Sequence, residues 1–134
     1  MAITVPASGE RPVTLAGADV TVVSIPVADQ ERALRFYRDT LGFAVLFDTP
    51  FEGMRWLQLG VPGGGCSIAL VTWFEAMPPG SLQGLVFAVD DVRATYEELL
   101  AKGVPFDFPP KEMPGGLQAV FRDLDGNGFV IAGR

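Results

Sequence analysis

Histidine is absent from the chain's 134 residues, and cysteine appears once, at Cys66. The first absence removes the commonest side chain for metal ligation and for proton transfer near neutral pH. The second excludes an intrachain disulfide and a thiolate metal cage, and it points to a reducing, cytoplasmic setting. Basic residues are also few. Against 16 Asp and Glu stand 10 Lys and Arg, a net charge of −6, so nucleic acid is repelled and a neutral or cationic small molecule is the better-matched partner. No apolar run is long enough to cross a bilayer, and the start MAITVPASGERPVTLAGAD lacks the basic and apolar regions of an export signal. The expectation is a soluble, unexported protein with no membrane partner. What the chain has in quantity is apolar character, 49% hydrophobic residues with a mean hydropathy of +0.30. This length buries one core, and the excess hydropathy points to a subunit interface, hence a homodimer.

The pattern along the chain predicts an α+β fold. After a leader over residues 1–19, VTVVSIPV (Val20 to Val27) reads as a buried β-branched strand. Asp29 caps a helix in which Ala33, Phe36, Tyr37 and Leu41 fall on one face, and Gly42 stands at its C-terminal end. Strands are predicted at Phe43 to Asp48, Arg55 to Leu59 and Cys66 to Trp73, separated by turns in TPFEG and GVPGGG. The same βαβββ order then recurs. SLQGLVFAVDD is a strand ending in acids, DDVRATYEELLAKG a helix capped by Asp91, and three more strands are predicted near Phe106, at Leu117 to Arg122 and at Gly128 to Ala132. Arg32-Ala33 and Gly42 map onto Arg93-Ala94 and Gly103 at an offset of 61, and FDTP is echoed by FDFP. A single domain over 20–134 is expected, with modules at 20–76 and 81–134 joined by a linker at 77–80, forming a mixed, partly closed sheet around a cavity with the helices outside. The ending FRDLDGNGFVI reads as a hairpin around a tight Asp-Gly-Asn-Gly turn.

In order and combination, PVADQERALRFYRDTLGF, VDDVRATYEELLAKGV and FRDLDGNGFVI resemble the vicinal oxygen chelate superfamily, the glyoxalase and bleomycin-resistance group, from Val20 onward. That resemblance implies either a metal-dependent enzyme or a metal-free protein that sequesters a drug. It also places the family's four metal-ligand positions on Val22, Ala69, Gly84 and Val130. None carries a donor atom for a cation, and Ser24, Ser67 and Gln83 nearby are poor substitutes. The implied protein therefore holds no metal or other cofactor. It is expected to bind an aromatic or cationic compound, as the antibiotic-resistance branch does. A metal-independent lyase or isomerase on the same fold is the alternative.

Strand alternation assigns the candidate ligand-binding residues. Val22, Ser24, Ser67, Ala69, Val71, Trp73, Gly84, Val86, Ala88, Val130 and Ala132 share one face, with Trp56, Gln58, Gln118 and Arg122 joining them. Ile68, Leu70, Leu85, Phe87, Phe129, Ile131, Leu57, Leu59, Ala119 and Phe121 turn to the helices. Trp56 and Trp73 are candidate stacking platforms, with core or interface packing as the competing role. Gln58 and Gln118 are candidates to orient a ligand, or else exposed strand positions. Arg122 is expected either to meet a ligand carboxylate or to form a structural pair with Glu52 or Asp48. Glu75 is the candidate base for the enzymatic alternative, or a solvated loop acid. Cys66 and the glycines of GVPGGG have ordinary structural readings, a small buried side chain and a hairpin loop.

Overall fold

The computed structural model describes residues 14–134, so residues 1–13 of the expected leader lie outside the description. The elements run β1 (Val22–Pro26), α1 (Gln30–Arg35), β2 (Ala44–Phe51), β3 (Met54–Gly60), β4 (Ser67–Val71), β5 (Gln83–Val89), α2 (Val92–Ala101), β6 (Phe106–Met113), β7 (Gly116–Arg122) and β8 (Gly128–Gly133). This is the expected α+β class with two tandem βαβββ modules. The strands divide into two mixed four-stranded sheets, ordered β1-β4-β3-β2 and β5-β8-β7-β6, and they do not close into a barrel. In each sheet the module's first and last strands pair in parallel and the other neighbours are antiparallel.

Both helices start where a side chain satisfies an orphan amide. The Asp29 carboxylate accepts from Arg32 N and the Asp91 carboxylate from Ala94 N, so the repeated acid is a cap in each module. The periodicity across Ala33 to Leu41 predicts one regular helix, but the structure widens it. A π-helical turn over Phe36–Thr40 follows α1, and Leu41 N donates to Phe36 O. Phe36 and Tyr37 are both buried in the core from this turn, on the face the sequence spacing assigns them.

The turns differ in detail from those predicted. Only Glu52 and Gly53 turn in TPFEG, both with positive φ, and β2 runs through Pro50 to Phe51. Likewise β6 carries Pro109 and Pro110. Prolines are tolerated because β2 and β6 are edge strands, where a missing amide donor faces no partner. The predicted tight turn before β8 is a longer loop, Asp123 to Asn127, between the paired ends Arg122 and Gly128.

One core spans both modules. Ile25, Leu57, Leu59, Ile68 and Leu70 from the first sheet, Ala119, Phe121, Phe129 and Ile131 from the second, and Leu34, Tyr37 and Leu99 from the helical segments are all buried in one cluster. Tyr37 meets Phe129 edge-on at 6.3 Å and Phe43 meets Phe87 at 5.8 Å, so the first module's helical segment packs on the second module's sheet. The residues expected to face the helices on these strands, Leu57, Leu59, Ile68, Leu70, Ala119, Phe121, Phe129 and Ile131, are all in this cluster.

Candidate functional site

The DLDGN loop, so conspicuous in the sequence, is a structural junction. Asp123 Oδ1 accepts from the amides of Asp125 and Asn127, and Oδ2 accepts from the Tyr37 hydroxyl at 2.6 Å and from Asn127 Nδ2 at 2.8 Å. Asn127, fully buried, also donates to Pro26 O in β1 and accepts from Leu82 N ahead of β5. One loop thus ties the start of each module to the end of the chain. Burial first, and then the Asp123 carboxylate, push the Tyr37 phenol well above its ordinary range, so it remains a donor. Burial likewise raises the neighbouring Asp125 carboxyl, which accepts from Ala28 N.

On the outer face of the first sheet, register sets Ser24, Ala69, Gln58 and Phe47 side by side across four strands. Trp56, two residues from Gln58, shares that face and meets Trp73 from the loop after β4 at a centroid distance of 6.1 Å and a tilt of 31°. Beneath them runs a polar relay. Trp56 Nε1 donates to Gln58 Oε1 at 3.0 Å, Gln58 Nε2 to Ser67 Oγ at 2.8 Å, and Ser67 Oγ to Thr21 O at 2.9 Å. Because an indole can only donate, the Gln58 amide has one allowed orientation, with its oxygen toward Trp56. Three sequence-predicted residues, Trp56, Gln58 and Trp73, therefore form one cluster, with both indoles and the glutamine half-buried.

The other two do not join it. Gln118 and Arg122 lie on β7 of the second sheet. Arg122 is committed to Asp107, with Nε and Nη2 bonding the two carboxylate oxygens at 3.0 and 2.7 Å, while Nη1 bonds Gln83 Oε1. Its partner is thus neither Asp48 nor Glu52. Asp48 instead pairs with Arg55 in the same bidentate manner, and Arg55 also reaches Glu31. Each arginine holds its aspartate below the usual carboxylate range by hydrogen bonding, and each arginine is raised in turn. The echo of FDTP in FDFP is therefore a repeated ion pair. Its arginines sit at opposite ends of their strands, near the start of β3 and at the end of β7. Strict alternation also missed Gln83. A register shift between Gln83 and Leu85, at Gly84, sets Gln83 opposite Gly128 on the side where Arg122 reaches it.

Two further contributors were not foreseen. Gln30 Nε2 donates to both Arg55 O and Leu70 O at 2.8 Å, just beyond where the β3–β4 ladder ends at Gln58 and Ala69, so it satisfies carbonyls the sheet leaves open. On the second sheet Lys111, opposite Gln118, places its ammonium 4.3 Å from the centre of the Phe108 ring. A glutamine at a helix start and a lysine in a Pro-rich strand carry no distinguishing local pattern.

The four positions that the resemblance assigns to metal ligands carry no donor side chain. Val22 and Ala69 lie on the outer face with Ser24 and Ser67, Val130 pairs with Val86, and Gly84 occupies the bulge. Among the described residues no three His, Cys, Asp or Glu side chains gather as metal ligands do. A divalent cation does not fit this site. Glu75 is exposed, and Cys66 is half-buried with its thiol directed at Ser67 O. Among the described residues no helix is long and apolar enough to cross a membrane.

Paired βαβββ modules with acid-capped helices, set in two mixed four-stranded sheets, define a protein of the glyoxalase fold. The chain belongs to the Glyoxalase/Bleomycin resistance protein/Dioxygenase superfamily, whose pattern matches residues 19–131. It is 46% identical to TnmS3, an antibiotic binding protein from Streptomyces sp. CB03234, with a TM-score of 0.82 over 87% of this chain and 95% of that one. A superfamily member from Sphaerobacter thermophilus DSM 20745 is 36% identical, with a TM-score of 0.79 over 87% of this chain and 98% of that one. The protein YetH of Bacillus subtilis (strain 168) is 34% identical over 116 residues, covering 84% of this chain and 95% of that protein.

Proposed function

We propose that this protein binds an aromatic or cationic small molecule on the face carrying Trp56 and Trp73, without a metal and without catalysing a reaction, in the manner of a drug-sequestering protein of the cytoplasm. The observation that carries this reading is the pair of half-buried indoles held over a glutamine whose amide is already oriented. A planar guest stacking on an indole gains about 0.5–1.5 kcal/mol per contact beyond its area burial. A fixed amide contributes direction at little entropic cost. The likeness to TnmS3 supports the same class of guest.

The face is open in a single chain, and a homodimer would enclose it. β2 is exposed along its whole length, with Leu46 at 51% and Phe47 and Phe51 both at 57%. On the second sheet Val86 is 55% exposed. Apolar side chains at this density on an edge strand are characteristic of an interface. The enzymatic alternative needs an acid or base held against a guest. Glu75 is exposed and makes no side-chain hydrogen bond among the described residues, and Arg122 is engaged by Asp107, so binding alone is the reading adopted.

The test is titration calorimetry with planar and cationic antibiotics, together with melting curves in divalent metals. Binding of a planar compound that weakens at least tenfold in Trp73→Ala, with no metal-dependent rise in melting temperature, is expected. Turnover of a substrate, stabilisation by a metal, or undiminished binding in Trp73→Ala would refute it.

A further inference from the structure

A cavity lies on the other side of the first sheet from the tryptophans. Its volume is about 570 Å³, and it is bounded by the end of the π-helical turn, the Val61–Cys66 loop, β5 and α2. This size falls within the roughly 300–1,000 Å³ of small-molecule sites. Its floor is the hydrophobic core itself, formed by Phe43, Ile68, Leu99, Phe121 and Ile131, each no more than 9% exposed. Neither Trp56 nor Trp73 borders it.

Two features set the chemistry of a guest. The charges at the rim neutralise one another, with Lys102 3.6 Å from Glu98 and also bonded to Thr40 O, and Arg134 2.7 Å from Asp90. A charged guest would find no unmatched counter-charge among these groups, whereas a neutral one leaves both pairs intact. The other feature is β5, an outer strand hydrogen-bonded among the described residues only to β8. Consecutive residues from Leu85 through Asp90 border the cavity, although alternate side chains point to opposite faces. What borders the space is therefore the strand's free edge, with its backbone N–H and C=O groups, beside an apolar floor.

We infer that this cavity is a second ligand site, for an uncharged, elongated apolar molecule carrying a neutral hydrogen-bonding group such as an amide, which pairs with the free edge of β5. Removing apolar surface from water at the core floor drives binding, and the strand edge sets the position of the polar group. The site is separate from the tryptophan face, so the two can be occupied and tested independently.

Nile red, a neutral dye that brightens in apolar surroundings, reports occupancy in the full-length protein, with decanamide, decanoate and decylamine as competitors. Expected is saturable dye binding that decanamide displaces at least tenfold better than either charged analogue. Val61→Trp, which fills the cavity from its loop, should weaken the decanamide-displaceable dye binding at least tenfold, and Trp73→Ala, which removes the face where a planar dye could also stack, should leave that displaceable binding in place. Cys66, the chain's only cysteine, borders the cavity and gives an independent readout in the unmodified protein. Saturating decanamide should slow its modification by a maleimide at least fivefold. Dye binding lost in Trp73→Ala but kept in Val61→Trp, preferential displacement by a charged analogue, or unprotected Cys66 would each overturn the inference. Antibiotic binding at the tryptophans is read separately by calorimetry, in which Val61→Trp should bind as the unmodified protein does.

Discussion

Replacing Tyr37 by Phe removes one hydroxyl from the junction of the two modules and leaves the ring's contacts with Phe36, Phe43 and Phe129 in place. The lost bond is the 2.6 Å donation to Asp123, a carboxylate only 5% exposed. Hydrogen bonds to charged groups contribute about 1.5–3 kcal/mol. Because Asp123 Oδ2 still accepts from Asn127, a loss of about 1.5–2 kcal/mol is expected. That corresponds to a melting temperature lower by roughly 5–7 °C for a chain of this size. The difference should vary with pH in a definite direction. The folded phenol titrates well above its ordinary value because of burial and the nearby Asp123 charge. Above about pH 10, where unfolded tyrosine ionises, the unfolded chain gives up a proton that the folded chain retains, and stability falls by about 1.4 kcal/mol per pH unit. The Phe variant lacks this contribution, so the gap between the two proteins should narrow by about that amount per unit above pH 10. Urea denaturation at neutral pH and again between about pH 9 and 11 measures both effects. A gap under about 0.5 kcal/mol at neutral pH, or one that stays constant through pH 11, would refute the assignment of this bond.

Asn127→Ala should be more damaging, by about 3 kcal/mol or more in urea denaturation, since it leaves Leu82 N and Pro26 O without partners inside the core. Gly80→Ala should destabilise by at least about 2 kcal/mol, because φ is +84° and an added Cβ would overlap the Asp125 carbonyl oxygen; an unchanged urea midpoint would contradict that geometry. Arg122→Ala, by contrast, should lower stability by no more than about 1 kcal/mol, since both partners are about one-third exposed to screening solvent. The hydrogen bond from Arg122 lowers the Asp107 pKa, so this stabilisation is present above the unfolded value near 4 and disappears as the pH falls through the folded one. Denaturation at pH 7 and at about pH 2 should show the difference and then its loss. Sedimentation of the intact protein should show a dimer that Phe47→Glu dissociates, because that side chain is 57% exposed on β2.

Order, handedness of faces and helix caps were legible because each rests on neighbours in sequence. Alternation placed Leu57, Leu59, Ile68 and Leu70 on the core side, and an acid ahead of each helix marked Asp29 and Asp91 as caps. That Trp56 and Gln58 share a face followed from the same period of two, whereas Trp73 meets Trp56 from the loop after β4. Reading failed where one residue more or fewer changed the period, at the π-helical turn and at the shift beside Gly84. Such insertions gain their energy from distant packing, and the local pattern does not announce them.

What the sequence by itself determined is the tandem βαβββ order and the sides on which apolar residues lie, because short-range period decides both. Only the tertiary structure decided that Arg122 belongs to Asp107, that Asn127 joins β1 to the approach to β5, and that a cavity opens beside the edge of β5. Those depend on which residues far apart in the chain come within a few ångströms, and hydrogen bonds and cavities act only at that range.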